Sequence, residues 1–379
     1  MSKKFLSWIC VALIFTSLYL TACQSNTNDN PNESGSNASV TQSTDAGSDT
    51  SQDALVSSES SSTADASAST SVPTTSEPVD INVAALKGPT AMGLVKLMDD
   101  SAKKATDSNN YSFETYSAPD ELTPLIIQGK VDIAAVPANL AAVLCNKTEG
   151  KVKVLAVNTL GVLYIVENGN TISKVEDLKG KTIYASGKGS TPEYALNYML
   201  KANSIDPEKD VTIEYKSEHT ECLSALANDK NGVAMLPQPF VTTAMMKNSN
   251  IRIAIDINAE WEKAAKKDGS DAKLVTGVII GRSEFVDAHK DAVSLFLKQY
   301  EKSINFTNEN IDEASTLIEN FDIIKKQVAT KAIPLCNIKF VAGEDMKTML
   351  SGYLGELYKQ NPKSVGGKLP DGDFYYVEK

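Results

Sequence analysis

From Ile81 to the C-terminus, short apolar runs alternate with stretches whose apolar residues recur every three or four positions. The first pattern predicts strands and the second amphipathic helices. Ile81 to Leu86 reads as a strand that ends at Lys87-Gly88-Pro89-Thr90, and Leu94, Val95, Leu97, Met98 and Ala102 mark one face of the helix that follows. Tyr111 to Tyr116 alternates as a strand, after which Ser117-Ala118-Pro119-Asp120 opens a helix carrying Leu122, Leu125 and Ile126. Val131 to Val136 is a third strand, followed by Pro137-Ala138-Asn139 and a helix from Leu140 to Leu144; Val152 to Val157 is a fourth strand. This β-α-β-α-β-α-β order implies an α/β layer with a largely parallel sheet.

A second series follows a break. Leu163 to Val166 predicts a strand, and Val175-Glu176-Asp177-Leu178-Lys179-Gly180-Lys181 leads into another at Thr182 to Ala185. Then come a helix from Pro192 to Ala202, a strand from Val211 to Tyr215, a helix from Glu221 to Asn228 and a strand from Gly232 to Leu236. Pro237-Gln238-Pro239 precedes a helix to Lys247 and a strand from Ile251 to Ile257. Lys263 to Lys273 reads as a polar stretch with Trp261 packing locally before it, and the strand from Leu274 to Ile280 begins a mostly helical tail. Amphipathic helices are expected at about 285–305 and 310–320.

Ahead of Ile81 the pattern is of another kind. Lys3 and Lys4 precede an apolar run from Phe5 to Leu20, which together with small residues after it has the layout of a secretory signal peptide. Ser7, Thr16, Ser17 and Tyr19 interrupt the run, which is short for a span of about 20 residues. From Gln24 to Pro78 the chain is mostly Ser, Thr, Asn, Asp and Ala with no aromatic residue. Such a segment buries too little apolar surface to offset the entropy of ordering. As a flexible coil its root-mean-square reach is roughly 40 Å, and fully stretched about 180 Å.

Leu20-Thr21-Ala22-Cys23 makes the leader resemble a bacterial lipoprotein signal. The resemblance implies removal of residues 1–22 and a diacylglyceryl group on the sulfur of Cys23, with residues 23–79 as a tether. Two acyl chains give stable anchoring, since each buried CH₂ contributes about 0.8 kcal/mol. Gln24 is not the Asp that retains lipoproteins of Gram-negative cells at the inner membrane, so the anchor fits the outer face of a Gram-positive cell membrane.

Composition narrows the function classes. The 379-residue chain has a formal charge of −11, which excludes a surface built for nucleic acid. With Cys23 lipidated, Cys145, Cys222 and Cys336 remain; an odd set at wide spacing proposes no disulfide, and they read as small buried hydrophobes. His219 and His289 are the only histidines, and neither stands at a metal-ligand spacing. His289 reads as a surface residue; His219, which follows the strand from Val211 to Tyr215, reads first as a helix-start residue facing solvent, with the cleft within its reach as the alternative. No Gly-x-Ser-x-Gly elbow, P-loop or dinucleotide fingerprint occurs, so neither an enzyme nor a cofactor is expected.

Residues 80–379 resemble the substrate-binding lipoprotein of an ABC importer, in particular the two-lobed type that serves nitrate, sulfonates, taurine and thiamine precursors. The residues that carry the likeness are Leu86-Lys87-Gly88-Pro89-Thr90, Gln128-Gly129-Lys130-Val131-Asp132-Ile133-Ala134, the Asp177-Leu178-Lys179-Gly180-Lys181 crossover and Pro237-Gln238-Pro239. The resemblance implies an α/β, type II periplasmic-binding-protein-like fold whose lobes are joined by a two-segment hinge. Lobe 1 would comprise 80–180 plus 275–379, and lobe 2 would comprise 181–274. It also implies a monomer that passes a small solute to a permease and its ATPase. A ligand-sensing receptor that signals to a membrane partner is the alternative.

In α/β sheets a ligand sits beyond the carboxyl ends of strands, where loops lead into helix N-termini whose N–H groups favour anions or polar acceptors. Gly88, Pro89 and Thr90 form one such turn; Ser117 a second; Pro137 and Asn139 a third; Gly189, Ser190 and Thr191 a fourth. Pro237, Gln238 and Thr276 complete the expected set near the hinge. Lys188 is expected in solvent, with pairing to an anionic ligand as the alternative, and Tyr116, Tyr164, Tyr184 and Tyr194 in the core or at interfaces, with stacking on a flat ligand as the alternative. The residue types leave a sulfonate, a carboxylate, a zwitterion and an aromatic or heterocyclic compound open as ligand.

Overall fold

The computed structural model describes residues 78–378, Asp107 excepted; the expected leader, Cys23 and the Ser/Thr-rich tract up to residue 77 lie outside the described residues. Chain order begins with β1 (Val79–Leu86), α1 (Pro89–Met92), α2 (Val95–Ala102), β2 (Asn109–Tyr116), α3 (Pro119–Ile127), β3 (Ile133–Pro137), α4 (Ala138–Lys147) and β4 (Val152–Leu160). It continues through β5 (Leu163–Asn168), β6 (Thr182–Ser186), α5 (Thr191–Ala202), β7 (Thr212–Lys216), α6 (His219–Asn228), β8 (Val233–Pro237), α7 (Phe240–Lys247), β9 (Ile251–Asp256) and α8 (Ile257–Lys267). The remainder is β10 (Val275–Arg282), α9 (Ser283–Ala288), α10 (Lys290–Glu309), α11 (Ile311–Asn320), α12 (Lys326–Ala332), β11 (Ile338–Val341) and α13 (Gly343–Gln360).

These strands form two sheets, β11-β4-β10-β3-β1-β2 and β7-β6-β8-β5-β9. The inner arrangement is the same in both. A parallel trio, β2-β1-β3 in one and β7-β6-β8 in the other, is followed by two antiparallel pairings, through β10 to β4 and through β5 to β9. The first sheet is therefore mixed rather than largely parallel. β10 returns from the far end of the chain and inserts between β3 and β4, with Gly277 opposite Pro137 and Gly281 opposite Ile133. A local strand–helix rhythm carries no signal for a partner some 140 residues away.

β5 lies within the expected first lobe, yet it pairs with β8 and β9 in the second sheet. The chain crosses at Gly161-Val162 and returns through residues 268–274. Gly161 is needed there, because a Cβ would stand 2.7 Å from Asn258 Cβ and 2.8 Å from Leu274 Cδ2. β5 is apolar on both faces and has to be covered on both, and the second sheet with its helices supplies that cover.

Strand alternation divides the core. Ile81, Val83 and Ala85 of β1 face α2, α10 and neighbouring helices, whereas Ala84 and Leu86 face the opposite layer. That opposite layer is continuous with the core under α5 and α8 of the second sheet, and Leu350, Tyr353, Leu354 and Leu357 of α13 belong to it. A third cluster lies between the second sheet and α6 and α7. Cys145, Cys222 and Cys336 are free and buried in these layers, and burial pushes the Cys336 thiol up to about 12.

The polar stretch expected at 263–273 begins inside α8. Asp256 caps this helix by accepting from the N–H groups of Asn258 (2.9 Å) and Ala259 (3.2 Å). Trp261 is fully buried against Tyr198, with ring centroids 4.3 Å apart, and it is part of the main core. Nearby in the same sheet, Glu167 has no exposed side-chain surface. Burial alone would raise its carboxyl, but hydrogen bonds from the Thr171 hydroxyl and backbone, from Ile172 N–H and the Arg252 guanidinium at 2.8 Å hold it below the ordinary carboxylate value.

Candidate functional site

The strands of each parallel trio end at helix N-termini, and the loops from the two sheets enclose a cavity of about 470 Å³. From the first sheet it receives Pro119 at the start of α3, Pro137, Asn139 and Leu140 at the start of α4, and Thr276 of β10. From the second come Val162 and Leu163 at the crossing into β5, Ser190, Thr191 and Pro192 at the start of α5, His219 at the start of α6, and Pro237. Size and lining match a small-molecule pocket, with an apolar wall carrying a few convergent polar groups.

Of the residues expected from sequence, Pro137, Asn139, Ser190, Thr191, Pro237 and Thr276 line this cavity. The other six do not, for local reasons. Gly88 turns the chain at φ +121°, a backbone conformation that suits glycine, and Thr90 behind it donates its hydroxyl to Leu86 O at 2.9 Å. Pro89 sits between them, within the first turn of α1. Ser117 is exposed and gives its N–H to Glu121 Oε2 at 2.9 Å. Gly189 is exposed and gives its N–H to Glu193 Oε2 at 2.6 Å. Gln238 is buried, and its Oε1 accepts from the Thr242 hydroxyl at 2.8 Å.

His219, expected on the surface, is a wall of the cleft. Its Nδ1 and Ser186 Oγ share a hydrogen bond of 2.5 Å, and its ring lies against Phe240 with centroids 4.9 Å apart. Burial holds the imidazole below its ordinary pKa, so it is neutral at pH 7. His219 also lines an adjoining pocket of about 350 Å³, which shares Ser190 and Pro192 with the main cavity and continues past Ser217 and Glu218. The sequence signal for it was position: His219 begins α6 just as Pro119 begins α3, each shortly after the end of a parallel-trio strand.

Hydroxyl groups in the cleft are already engaged within the chain. Ser190 Oγ donates to Gly187 O at 2.6 Å, Thr191 Oγ1 lies 2.8 Å from Tyr353 Oη, and Thr276 Oγ1 donates to Leu160 O. Thr191 Oγ1 also approaches Asn139 Oδ1 across the cleft at 3.5 Å. Tyr116, Tyr164, Tyr184 and Tyr194 do not line the cavity; Tyr164 Oη donates to Leu335 O (2.8 Å) and Tyr194 Oη accepts from Asn361 (2.9 Å). Among the described residues no cluster of His, Cys, Asp and Glu is arranged for a metal ion, and no helix is long and apolar enough to cross a membrane. What the geometry offers is binding between two walls.

Comparison with known proteins gives the same direction. The sequence profile of the family described as "ABC transporter, phosphonate, periplasmic substrate-binding protein" matches residues 104–303. A Bacillus subtilis (strain 168) protein provisionally named for binding aliphatic sulfonates is 27% identical over 169 residues, 45% of this chain and 46% of its own. The chain spans about half the length of the curated relatives it matches, 48% and 46%. The crystal structure of an ABC transporter from Parabacteroides distasonis superposes with a TM-score of 0.67 at 24% identity, covering 79% of this chain and 100% of that one. The periplasmic aliphatic sulphonate binding protein SsuA from Escherichia coli gives 0.61 at 13% identity, covering 77% and 96%. At these identities the structural likeness establishes the fold.

Proposed function

The chain belongs to the family of ABC-transporter periplasmic substrate-binding proteins of the phosphonate type, and from that premise we propose that it captures a small organic or anionic solute between its two sheets and delivers it to a permease driven by an ATPase. The observation that carries this reading is the two-walled cavity, built from loops at the matching ends of two sheets that share their inner arrangement. A solute touching both walls favours the arrangement in which they are close, since only that arrangement offers both sets of contacts. The family is one of transport proteins rather than enzymes, and it works outside the cytoplasm.

Anchoring rests on the sequence alone. Leu20-Thr21-Ala22-Cys23 supports a lipid on Cys23 and a place on the outer face of a Gram-positive membrane, and the composition of Gln24 to Pro78 supports its use as a tether to a monomeric capture domain. The division into a first lobe of residues 80–162 plus 268–379 and a second of 163–267 is our revised reading of the sheet pairing.

A thermal-shift screen of the purified chain against small metabolites tests capture. A ligand at 100 times its dissociation constant adds about 2.7 kcal/mol to stability, enough for a clear rise in Tm. Leu140→Trp, which fills the cavity, should abolish the rise. A shift that survives this substitution would place the ligand elsewhere.

A further inference from the structure

We propose that the solute carries no net negative charge and presents an apolar face to the cleft, with Asn139 and His219 as its hydrogen-bonding partners. This rests on the capture reading and narrows the chemical class of what is captured.

Among the described residues no Lys or Arg lines the cavity or the pocket that adjoins it, and the one ionised side chain lining either is the carboxylate of Glu218. Lys188, on the loop before α5, is exposed, its ammonium lies over the Tyr215 ring at 5.6 Å, and it is not among the residues that line either pocket. An oxyanion entering this site would give up its water without meeting a counter-charge, a large cost in an apolar environment.

Helix N-termini ordinarily replace such cations. Here three of the five that border the cleft and its adjoining pocket, at α3, α4, α5, α6 and α7, already hold an acidic side chain of their own. Glu121 accepts from Ser117 and Ala118 N–H at α3, Glu193 from Gly189 N–H at α5, and Glu221 from Ser217 N–H at α6. Each places a negative charge at the positive end of its helix. Proline at the first position of α3 and at the second of α5 removes further donors. The start of α4 has no acidic residue in its first turn.

The polar lining points the same way. Ser190, Thr191 and Thr276 spend their hydroxyl groups on the chain itself. That leaves the Asn139 amide, whose one side-chain hydrogen bond among the described residues is the long 3.5 Å approach of Thr191, and His219, whose Nδ1 is tied to Ser186 and whose Nε2 has no protein partner among the described residues. Both are neutral groups that donate or accept. Two neutral partners in a wall dominated by proline, leucine and valine suit an uncharged organic molecule with one or two hydrogen-bonding groups.

Size-matched probe pairs test this by calorimetry on the full chain: benzenesulfonamide against benzenesulfonate, benzamide against phenylphosphonate, and butyramide against butanesulfonate. The neutral member of at least one pair should bind about tenfold or more tightly than its anion, because the anion sheds its water without gaining a cationic partner. His219→Ala should weaken that neutral probe about tenfold, and His219→Gln, which keeps a neutral donor and acceptor, by less. Asn139→Leu, on the opposite wall, should weaken it independently of any effect of position 219 on folding. Tighter binding of the anions overturns the charge assignment and leaves the capture reading in place. Absence of binding by every neutral probe overturns the assignment too, and silence of both kinds counts against capture as well.

Discussion

His219 gives the cleft a proton-sensitive wall. Its imidazole is hydrogen-bonded to Ser186, lies tilted against Phe240 and is held neutral by burial. Because its folded pKa lies below the ordinary value of about 6.5, the folded state binds fewer protons than the unfolded chain as pH falls. The stability this supplies is present above about pH 6.5 and is lost as pH drops through the lowered folded value. Urea midpoints of the unliganded protein should therefore fall more between pH 7 and 5 for the wild type than for His219→Gln. Parallel falls would place the histidine outside the linkage. A second residue-scale consequence concerns Arg252. Removing it leaves the buried Glu167 carboxylate without its counter-charge, so Arg252→Ala should cost about 3–5 kcal/mol in denaturant unfolding, whereas loss of an exposed pair such as Lys209–Asp206 should leave the urea midpoint close to that of the wild type.

Among the elements, β5 and α8 show what the sequence carries and what it hides. Existence and type were legible for the strands and helices of both βα series, because apolar spacing and turn residues such as Gly88-Pro89 and Ser190-Thr191-Pro192 are local. Pairing was not. β5 reads like any buried strand, and nothing in Leu163–Asn168 says that its neighbours are β8 and β9 rather than β4. α8 was hidden by its lysines, although Ile257, Trp261, Ala264 and Ala265 hold the spacing of a buried face and Asp256 the position of a cap. The candidate site was half legible for the same reason. Loops at strand ends are visible in sequence; which of their side chains turn inward is decided by contacts such as Thr90 with Leu86 O and Glu121 with Ser117 N–H. Two substitutions follow at this scale. Trp261→Ala should lose about 3–5 kcal/mol, since it empties a fully buried site between Tyr198 and Tyr353. Gly161→Ala should cost about 1–3 kcal/mol, because its Cβ meets Asn258 and Leu274 where the chain crosses between sheets. A melting curve within a degree of wild type in either case would contradict that packing.

Across the whole molecule, two sheets of matching topology are tied together by more than the two crossing segments. Thr191 of α5 meets Tyr353 of α13 at 2.8 Å, Tyr194 Oη accepts from Asn361 at 2.9 Å, and Tyr164 of β5 donates to Leu335 O at 2.8 Å. These contacts join the C-terminal part of the chain to the second sheet, beside the cavity to which Thr191 also belongs. The central claim is that this cavity holds one small molecule. Native mass spectrometry of the protein purified from bacterial cells, wild type beside Leu140→Trp, tests it most directly. A one-to-one adduct of a few hundred daltons or less is expected in the wild type, released on denaturation and absent from the filled variant, a mass set by a cavity of about 470 Å³. An adduct of equal occupancy in Leu140→Trp, or a wild type that takes up no small molecule from any lysate or metabolite mixture, would contradict it.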